Sequence, residues 1–342
     1  MTDIKFEVSV IIPVYNAEKY VAKAVESALQ FPEVKEVLLI EDSSPDNALE
    51  VCRQLAEKDS RVKLLQHPDK GNHGAGASRN LGLKSATCPY IAFLDADDFY
   101  LPNRFDADKR VFAENPQADG VYNALGVHFY SPEAAKQYRN YFPSELTTVT
   151  TPVKPEELFP SFISRTKGFG YFSLDCLTIK KNILEKMDQW FNPELRLHQD
   201  SDFIIRLVYY ARLFPGEIKV PVAKRGVHDD NRILSVQNEH KQKARNQVKL
   251  WDSLYQWSQN ASLPGIDVKH LWCMKTSKQI IAEPYLPSVF YFLFSFMKNR
   301  NLLTNPVFYN AIHYRFFGKG KASFFLLRAK NKVLRVLLMQ RS

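Results

Sequence analysis

The segment richest in reactive groups is Asp95-Ala96-Asp97-Asp98, which closes the apolar run Tyr90–Leu94. Two carboxylates spaced D-x-D at the end of a buried strand suit a hard divalent cation. Magnesium takes oxygen ligands, keeps several waters, and commonly bridges one or two carboxylates to substrate phosphates. Two more polar clusters close apolar runs, Pro13-Val14-Tyr15-Asn16 and Glu41-Asp42-Ser43-Ser44. An isolated D-x-D is more often an ordinary acidic surface turn; three polar strand ends that can converge on one edge argue for a site. The loop Gly71-Asn72-His73-Gly74-Ala75-Gly76 could be taken for a phosphate cradle. It lacks the Lys-Ser/Thr of a P-loop and the strand-adjacent register of a dinucleotide fingerprint, so it reads as a flexible active-site loop.

The elements that must position these groups follow from periodicity. Val8–Val14 is a continuous apolar, β-branched run, the profile of a strand buried on both faces. Ala17–Gln30 places Tyr20, Val21, Ala24, Val25, Ala28 and Leu29 on one helical face. Lys35–Ile40, Val62–Gln66 and Tyr90–Leu94 read as further strands. Helices are expected from Asp46, as cap, to about Lys58 and from about Ala77 to Ser85. Strands separated by helices imply a mostly parallel α/β sheet with right-handed crossovers, whose ligands bind beyond the C-terminal strand ends. Ser131–Pro160 reads as a long loop with a short helix near Glu156, Gly168–Ile179 as loop then strand, and Asp200–Ala211 as a helix.

Composition bounds the rest. A length of 342 residues suggests about two domains. With 45% apolar and 24% charged residues, a disordered chain, a collagen and a small disulfide scaffold are excluded. The net charge of +9 is carried by one end: Pro284–Ser342 holds ten Lys/Arg and no Asp or Glu, and the remainder nets −1. That asymmetry points to a polyanion met by the C-terminal part, an anionic membrane surface or nucleic acid. No recognisable nucleic-acid module accompanies the charge, which favours the membrane. Four scattered cysteines without a C-x-x-C pair suggest reduced thiols, and the N-terminal run reads as a strand and not a signal peptide. The expected location is the cytoplasm, peripheral on the cytoplasmic face of a membrane. Tyr285–Met297 is too short to span a bilayer as a helix. With Phe324–Met339, where Arg328, Lys332 and Arg335 share a stripe, it is a candidate interfacial helix. Packing of these apolar residues on the rest of the chain or on a second subunit is the alternative.

The arrangement resembles family 2 glycosyltransferases with the GT-A fold. The matching segments are Val8–Asn16 (VSVIIPVYN), Ile40–Asn47 (IEDSSPDN), Ala77–Gly82 (ASRNLG) and Tyr90–Asp98 (YIAFLDADD). Leu197–Leu207 (LHQDSDFIIRL) looks like the family's Glu-Asp acceptor-side motif, and Arg225–Ser235 (RGVHDDNRILS) like its later Arg-x-x-His segment. The resemblance runs from about Val8 to Ser235. It implies a GT-A domain over residues 1–238 and stops before the last hundred residues; there the composition, helical and increasingly basic, gives the expectation of a membrane-associating extension over 239–342. The resemblance also implies inverting transfer of a sugar from a nucleotide-sugar donor, commonly a UDP-sugar, to a hydroxyl of a glycan or lipid-linked acceptor in surface-polysaccharide assembly, with Mg²⁺ or Mn²⁺.

By the same resemblance, Pro13, Tyr15 and Asp42 would form the nucleotide base pocket, and Arg79 would lie near the base or diphosphate. Asp95 would contact the ribose or metal, and Asp97 would bind the metal across the diphosphate, with Asp98 and His228 as further metal-side residues. Asp200 aligns with the catalytic base. Acceptor contacts would come from Gly168–Cys176 and the loop before it. One position departs from the pattern: the usual Glu-Asp is Gln199-Asp200 here. A second carboxylate would strengthen the base by like-charge repulsion, and Gln199 removes that effect. Each assignment has a plainer counterpart: Asp42 or Asp200 could only cap a helix, Arg79 could pair with a surface acid, and His228 could be an ordinary loop histidine. Asp202 and Asp175 are the fallback bases.

Two other classes fit less of the chain. A haloacid dehalogenase-like phosphatase would use Asp95 as nucleophile, but leaves the segments at Val8 and Ile40 unexplained. A catalytically impaired GT-A-like protein that only binds a sugar nucleotide or glycan would account for Gln199, while the retained Asp95, Asp97 and Asp200 argue against it.

Overall fold

The computed structural model describes residues 5–142, 144–148, 151–166, 170–228, 240–299, 302 and 305–317. The chain divides into two compact units, Met1–Asn238 and Glu239–Ser342.

The first unit opens with β1 (Val8–Val14), α1 (Val21–Leu29), β2 (Val34–Glu41), α2 (Ala48–Lys58), β3 (Val62–Gln66), α3 (Ala75–Ser85) and β4 (Tyr90–Phe93). β1 pairs in parallel with β2 and β4, and β2 in parallel with β3. Seven of the eight residues of β2 are buried, as the unbroken apolar run requires of a strand covered on both faces. α1 buries Val21, Ala24, Val25 and Ala28, a stripe at helical spacing against the sheet. It begins four residues later than the sequence suggests, because Asn16 at the end of β1 adopts a positive φ of 52° and Ala17–Tyr20 forms a turn.

Next come β5 (Phe99–Tyr100), α4 (Asp106–Glu114), β6 (Gly120–Tyr122), β7 (Leu125–Phe129), α5 (Pro132–Tyr138), α6 (Pro155–Phe162), β8 (Leu177–Lys180), α7 (Gln199–Tyr210), β9 (Leu213–Pro215) and β10 (Ala223–Val227). The main sheet has the order β3-β2-β1-β4-β8-β6-β9, and a smaller sheet has the order β5-β10-β7. β8 is antiparallel to both its neighbours, β4 and β6, and fills the place between them. This is a mixed α/β fold with a mostly parallel central sheet flanked by helices. The expected loop over Ser131–Pro160 contains an extra helix, α5. Ser131 Oγ accepts the Ala134 N–H at its start and Pro132 occupies the first turn, both helix-start signals.

Beneath the later strands lies a buried polar knot. Arg104 donates through Nε to the Asp175 carbonyl (3.0 Å) and through Nη1 to Asp108 (2.9 Å), and Asn123 donates to the other Asp108 oxygen (2.8 Å). Guanidinium and carboxylate are both fully buried, so the knot is tolerable only because each group is paired. Its effect is to fix the turn that carries Asp175.

The second unit is helical: α8 (His240–Asn260), α9 (Gly265–Ala282), α10 (Tyr285–Lys298) and α11 (Pro306–Phe317). Cys273, Ile280, Leu302, Phe308 and Ile312 form its core. Pro287 falls in the first turn of α10, where its missing N–H breaks no helical hydrogen bond. Among the described residues no helix is long and apolar enough to cross a membrane. Phe324–Met339 lies outside the described residues.

Candidate active site

Polar groups gather at the C-terminal ends of β1, β2 and β4, where the sheet opens. Pro13 lies opposite Ile40 in the β1–β2 register, and Tyr15 just beyond β1 is exposed. Asp42, at the end of β2, is buried, and both its carboxylate oxygens are used. Oδ1 accepts the His73 N–H at 2.8 Å and Oδ2 the Gly74 N–H at 2.7 Å. Its carbonyl accepts from the Asn72 side chain at 2.9 Å. The glycine-rich loop expected to be flexible is therefore tied down by successive backbone donors on one buried carboxylate. Asp42 is not a helix cap; it shapes the loop.

That loop leads into α3, which carries Arg79. The guanidinium is nearly buried, and its Nη2 lies 2.5 Å from Asp95 Oδ1. Its Nε is buried with no hydrogen-bond partner among the described residues. Arg79 thus pairs, from a buried position, with the half-exposed carboxylate of Asp95, and points a cation at the strand end that bears the D-x-D.

Within that run the three acids part ways. Asp95 is half exposed on its side chain, and its backbone N–H donates to Asp175 Oδ1 at 2.9 Å. Asp97 meets His228, with Nε2 3.1 Å from Oδ2. Asp98 is buried and accepts the Gly226 N–H at 2.8 Å. Burial first, then the nearby acids of Asp175, Asp97 and Asp95, hold the Asp98 carboxyl well above the usual carboxylate range, with Arg225 opposing. Asp175 is raised likewise, first by burial and then by Asp95. Asp95, Asp98 and Asp175 each bring an oxygen into one group, all within 4.8 Å of one another. An oxygen-only donor set of this kind fits Mg²⁺ or Mn²⁺ chemistry.

His228 stacks on Tyr20, with ring centres 4.4 Å apart, and faces Asp97, so it is no ordinary loop histidine. Its strand, β10, can approach because residue 226 is glycine: a Cβ there would collide with the Asp97 carbonyl oxygen. The rest of that late segment, residues 229–235, lies outside the described residues, as do 168 and 169 of the expected acceptor-side stretch.

α7 begins at Gln199, after His198 in a left-handed conformation with φ 62°. The Gln199 side chain is buried against Gly76, where a Cβ would collide with its Oε1. This contact brings the N-terminus of α7 to the start of α3. Asp200 follows, exposed, its Oδ1 accepting the Ser201 N–H at 2.8 Å. Both fallback bases are buried and engaged by neighbouring groups. Asp202 is fully buried in an ion pair with Arg206, which also donates to the Gln189 and Trp190 carbonyls. Asp175 is buried within the acid cluster, and its Oδ2 accepts from Ser173 at 2.7 Å.

Sequence reasoning missed two members of this region in their observed roles. Asp175 figured only as a spare base, and Arg225 only as part of a motif. The available signal was polar placement: Asp175 is an acid directly before the apolar run that becomes β8, as Asp95 is after the one that becomes β4.

Residues 9–177 match the family described as Glycosyl transferase family 2. Among curated proteins, the chain is 28% identical over 197 residues to the uncharacterized glycosyltransferase EpsJ of Bacillus subtilis, covering 57% of this chain and 54% of that one. It is 39% identical over 109 residues to an uncharacterized glycosyltransferase of Haemophilus influenzae, covering 32% of this chain and 43% of that one. The chain thus spans about half the length of these relatives. Among solved structures, S. aureus TarS 1-349 in complex with UDP-GlcNAc aligns with a TM-score of 0.56 at 19% identity, covering 90% of this chain and 79% of TarS 1-349. Mannosyltransferase PcManGT from Pyrobaculum calidifontis, in complex with GDP-Man and Mn²⁺, aligns at 0.50 and 14% identity, covering 96% and 80%. At these identities the structural likeness bears on the fold alone.

Proposed function

The chain carries a family 2 glycosyltransferase domain of the GT-A fold, and on that premise we propose that it transfers a sugar, with inversion, from a nucleotide-sugar donor to a hydroxyl of a glycan or lipid-linked acceptor. The observation that most supports this is the pairing of Arg79 with Asp95 and of His228 with Asp97 at one strand end, beside the loop held by Asp42. The base would rest between Pro13, Tyr15 and that loop. Arg79 would turn from Asp95 toward the diphosphate.

Asp95 and Asp98, whose oxygens cluster with that of Asp175, would hold the divalent cation together with Asp97 and His228 beside them. When bound, that cation neutralises charge on the departing diphosphate, commonly the largest catalytic contribution. Asp200, the exposed acid on α7, would take the proton from the attacking acceptor hydroxyl, an effect of about 10²–10⁴-fold. Attack from the face opposite the leaving group inverts the anomeric centre and needs no enzyme nucleophile. We take a UDP-sugar as the first donor to test, because UDP is the commonest donor nucleotide of the family.

A second reading, a protein that binds sugar nucleotides without turning them over, is favoured only by Gln199 in place of the usual acid. We place the reaction in surface-polysaccharide or glycolipid assembly, with the basic helical extension holding the chain peripherally on the cytoplasmic face of an anionic membrane. The deciding experiment is a screen of UDP- and GDP-sugars for hydrolysis and for binding, with Mg²⁺ or Mn²⁺ and with chelator. Metal-dependent turnover of one donor is expected. Binding without turnover selects the second reading, and neither binding nor turnover of any sugar nucleotide overturns both.

A further inference from the structure

Helix α10 buries two serines beside Phe292 and carries its remaining bulk outward. Its serines face inward: Ser288 and Ser295 are 0% and 4% exposed. Ser288 Oγ donates to the Pro284 carbonyl at 2.8 Å and accepts from Arg315 Nε at 3.1 Å, while Arg315 Nη2 donates to the Glu283 carbonyl at 2.7 Å. The opposite face carries Leu286, Phe290, Leu293, Phe294 and Met297, which are 69%, 72%, 47%, 58% and 80% exposed. Steps of four, three, one and three residues put all five on one side of a helix. A contiguous apolar patch of this kind on a water-facing surface marks a contact site.

The composition of the C-terminal part of the sequence argues for what covers it. Lys298 closes the helix with its Nζ 4.5 Å from the centre of the Phe294 ring. From Pro284 to the end of the sequence there are ten Lys/Arg and no acid. A second copy of this chain docked by the same face would set like charge against like, since a two-fold interface apposes the same patch to itself. An anionic lipid surface supplies the missing counter-charge and accepts aromatic and aliphatic side chains at its acyl boundary. At 14 residues the helix is about 21 Å long, so it lies in the interface and does not cross.

We propose that the outward face of α10 is the surface that seats this protein in an anionic membrane, with Phe290, Phe294 and Met297 inserted and Lys298 at headgroup level. This rests on the peripheral-membrane reading above and assigns it to one helix, in place of the stretch Phe324–Met339. The test is sedimentation of the full chain with phosphatidylglycerol-containing and pure phosphatidylcholine vesicles. Phe290→Ser/Phe294→Ser/Met297→Ser is compared with Phe324→Ser/Phe325→Ser/Leu326→Ser. Salt-sensitive binding to the anionic vesicles is expected, falling about tenfold or more in the first variant and little in the second. The reverse order overturns this face and leaves the membrane reading standing, whereas no vesicle binding by the parent chain overturns both. Loss of self-association in the first variant without any loss of lipid binding assigns the face to a second copy and also overturns the proposal. Should the triple variant fail to fold, Met297→Cys carrying an environment-sensitive fluorophore decides. The four native cysteines are buried, so the label is selective. Blue-shifted emission on anionic vesicles supports the proposal, and unchanged emission from the bound protein refutes it.

Discussion

His228 Nε2 lies 3.1 Å from Asp97 Oδ2, across 131 residues of sequence. The contact joins the last strand of the first unit to the D-x-D turn after β4. Asp97→Asn should leave the fold intact, since its side chain is partly exposed at a strand end, whereas His228→Ala also removes a buried ring stacked on Tyr20 and should lower the unfolding midpoint. Both should weaken metal-dependent nucleotide binding, and Asp97→Asn should remove most turnover. Calorimetric titration of nucleotide with and without Mn²⁺ measures this. Full activity of the parent chain in chelator would show that the carboxylate is structural.

Asp200→Asn keeps the shape and one acceptor oxygen but cannot take a proton at neutral pH. Donor affinity should persist while transfer falls by about 10²-fold or more. Single-turnover kinetics separates the two quantities. Unchanged transfer would place the base on another side chain.

Gln199→Glu restores the carboxylate that the family pattern leads one to expect. Placed beside Asp200 and buried against Gly76, it should move the acidic limb of the pH–rate profile to higher pH by like-charge repulsion. An acidic limb that stays in place would mean that the new acid is neutral in its pocket.

Asp42→Asn tests the loop anchor. An amide offers one acceptor oxygen where two backbone N–H groups need one each. One buried donor is then left facing an NH₂ group, a loss of about 1–3 kcal/mol. A lower unfolding midpoint and weaker donor binding should appear together. Weaker binding with unchanged stability would mean that Asp42 acts on the nucleotide directly.

Asp98→Asn should raise thermal stability at neutral pH. A carboxyl whose folded value is raised binds its proton more tightly in the folded state. Stability is therefore lost as pH climbs from the unfolded value of about 4 toward the raised one. Asparagine keeps an acceptor for the Gly226 N–H and does not ionise. The gap between variant and parent in unfolding midpoint should be small near pH 4 and widen upward; a gap that is flat with pH would contradict it.

The first hundred residues were legible because β1, β2 and β4 are apolar runs, each ending in a polar cluster. Val8–Val14 and Val34–Glu41 leave no other place for buried side chains than the middle of a sheet. The later architecture was not. β6 and β9 are three residues each, too short for any periodicity, and β7 is half-buried. The position of Asp175 beside Asp95 depends on β8 arriving antiparallel next to β4, a non-local pairing that no local pattern announces. Conversely, α5 carries its helix-start signals in Ser131 and Pro132, inside a stretch whose polarity reads as loop.

The place of β8 between β4 and β6 has a temporal meaning. As the chain leaves the ribosome, β4 and β6 are complete some fifty residues before the strand that joins them is made. Until then each presents an unsatisfied ladder of backbone donors and acceptors, the template on which one nascent chain pairs with another. The acid cluster therefore cannot assemble before Asp175 is made, and synthesis halted anywhere between Tyr122 and Leu177 yields a half-sheet with an open edge. Slow maturation is the expected cost of a sheet completed by a non-local pairing.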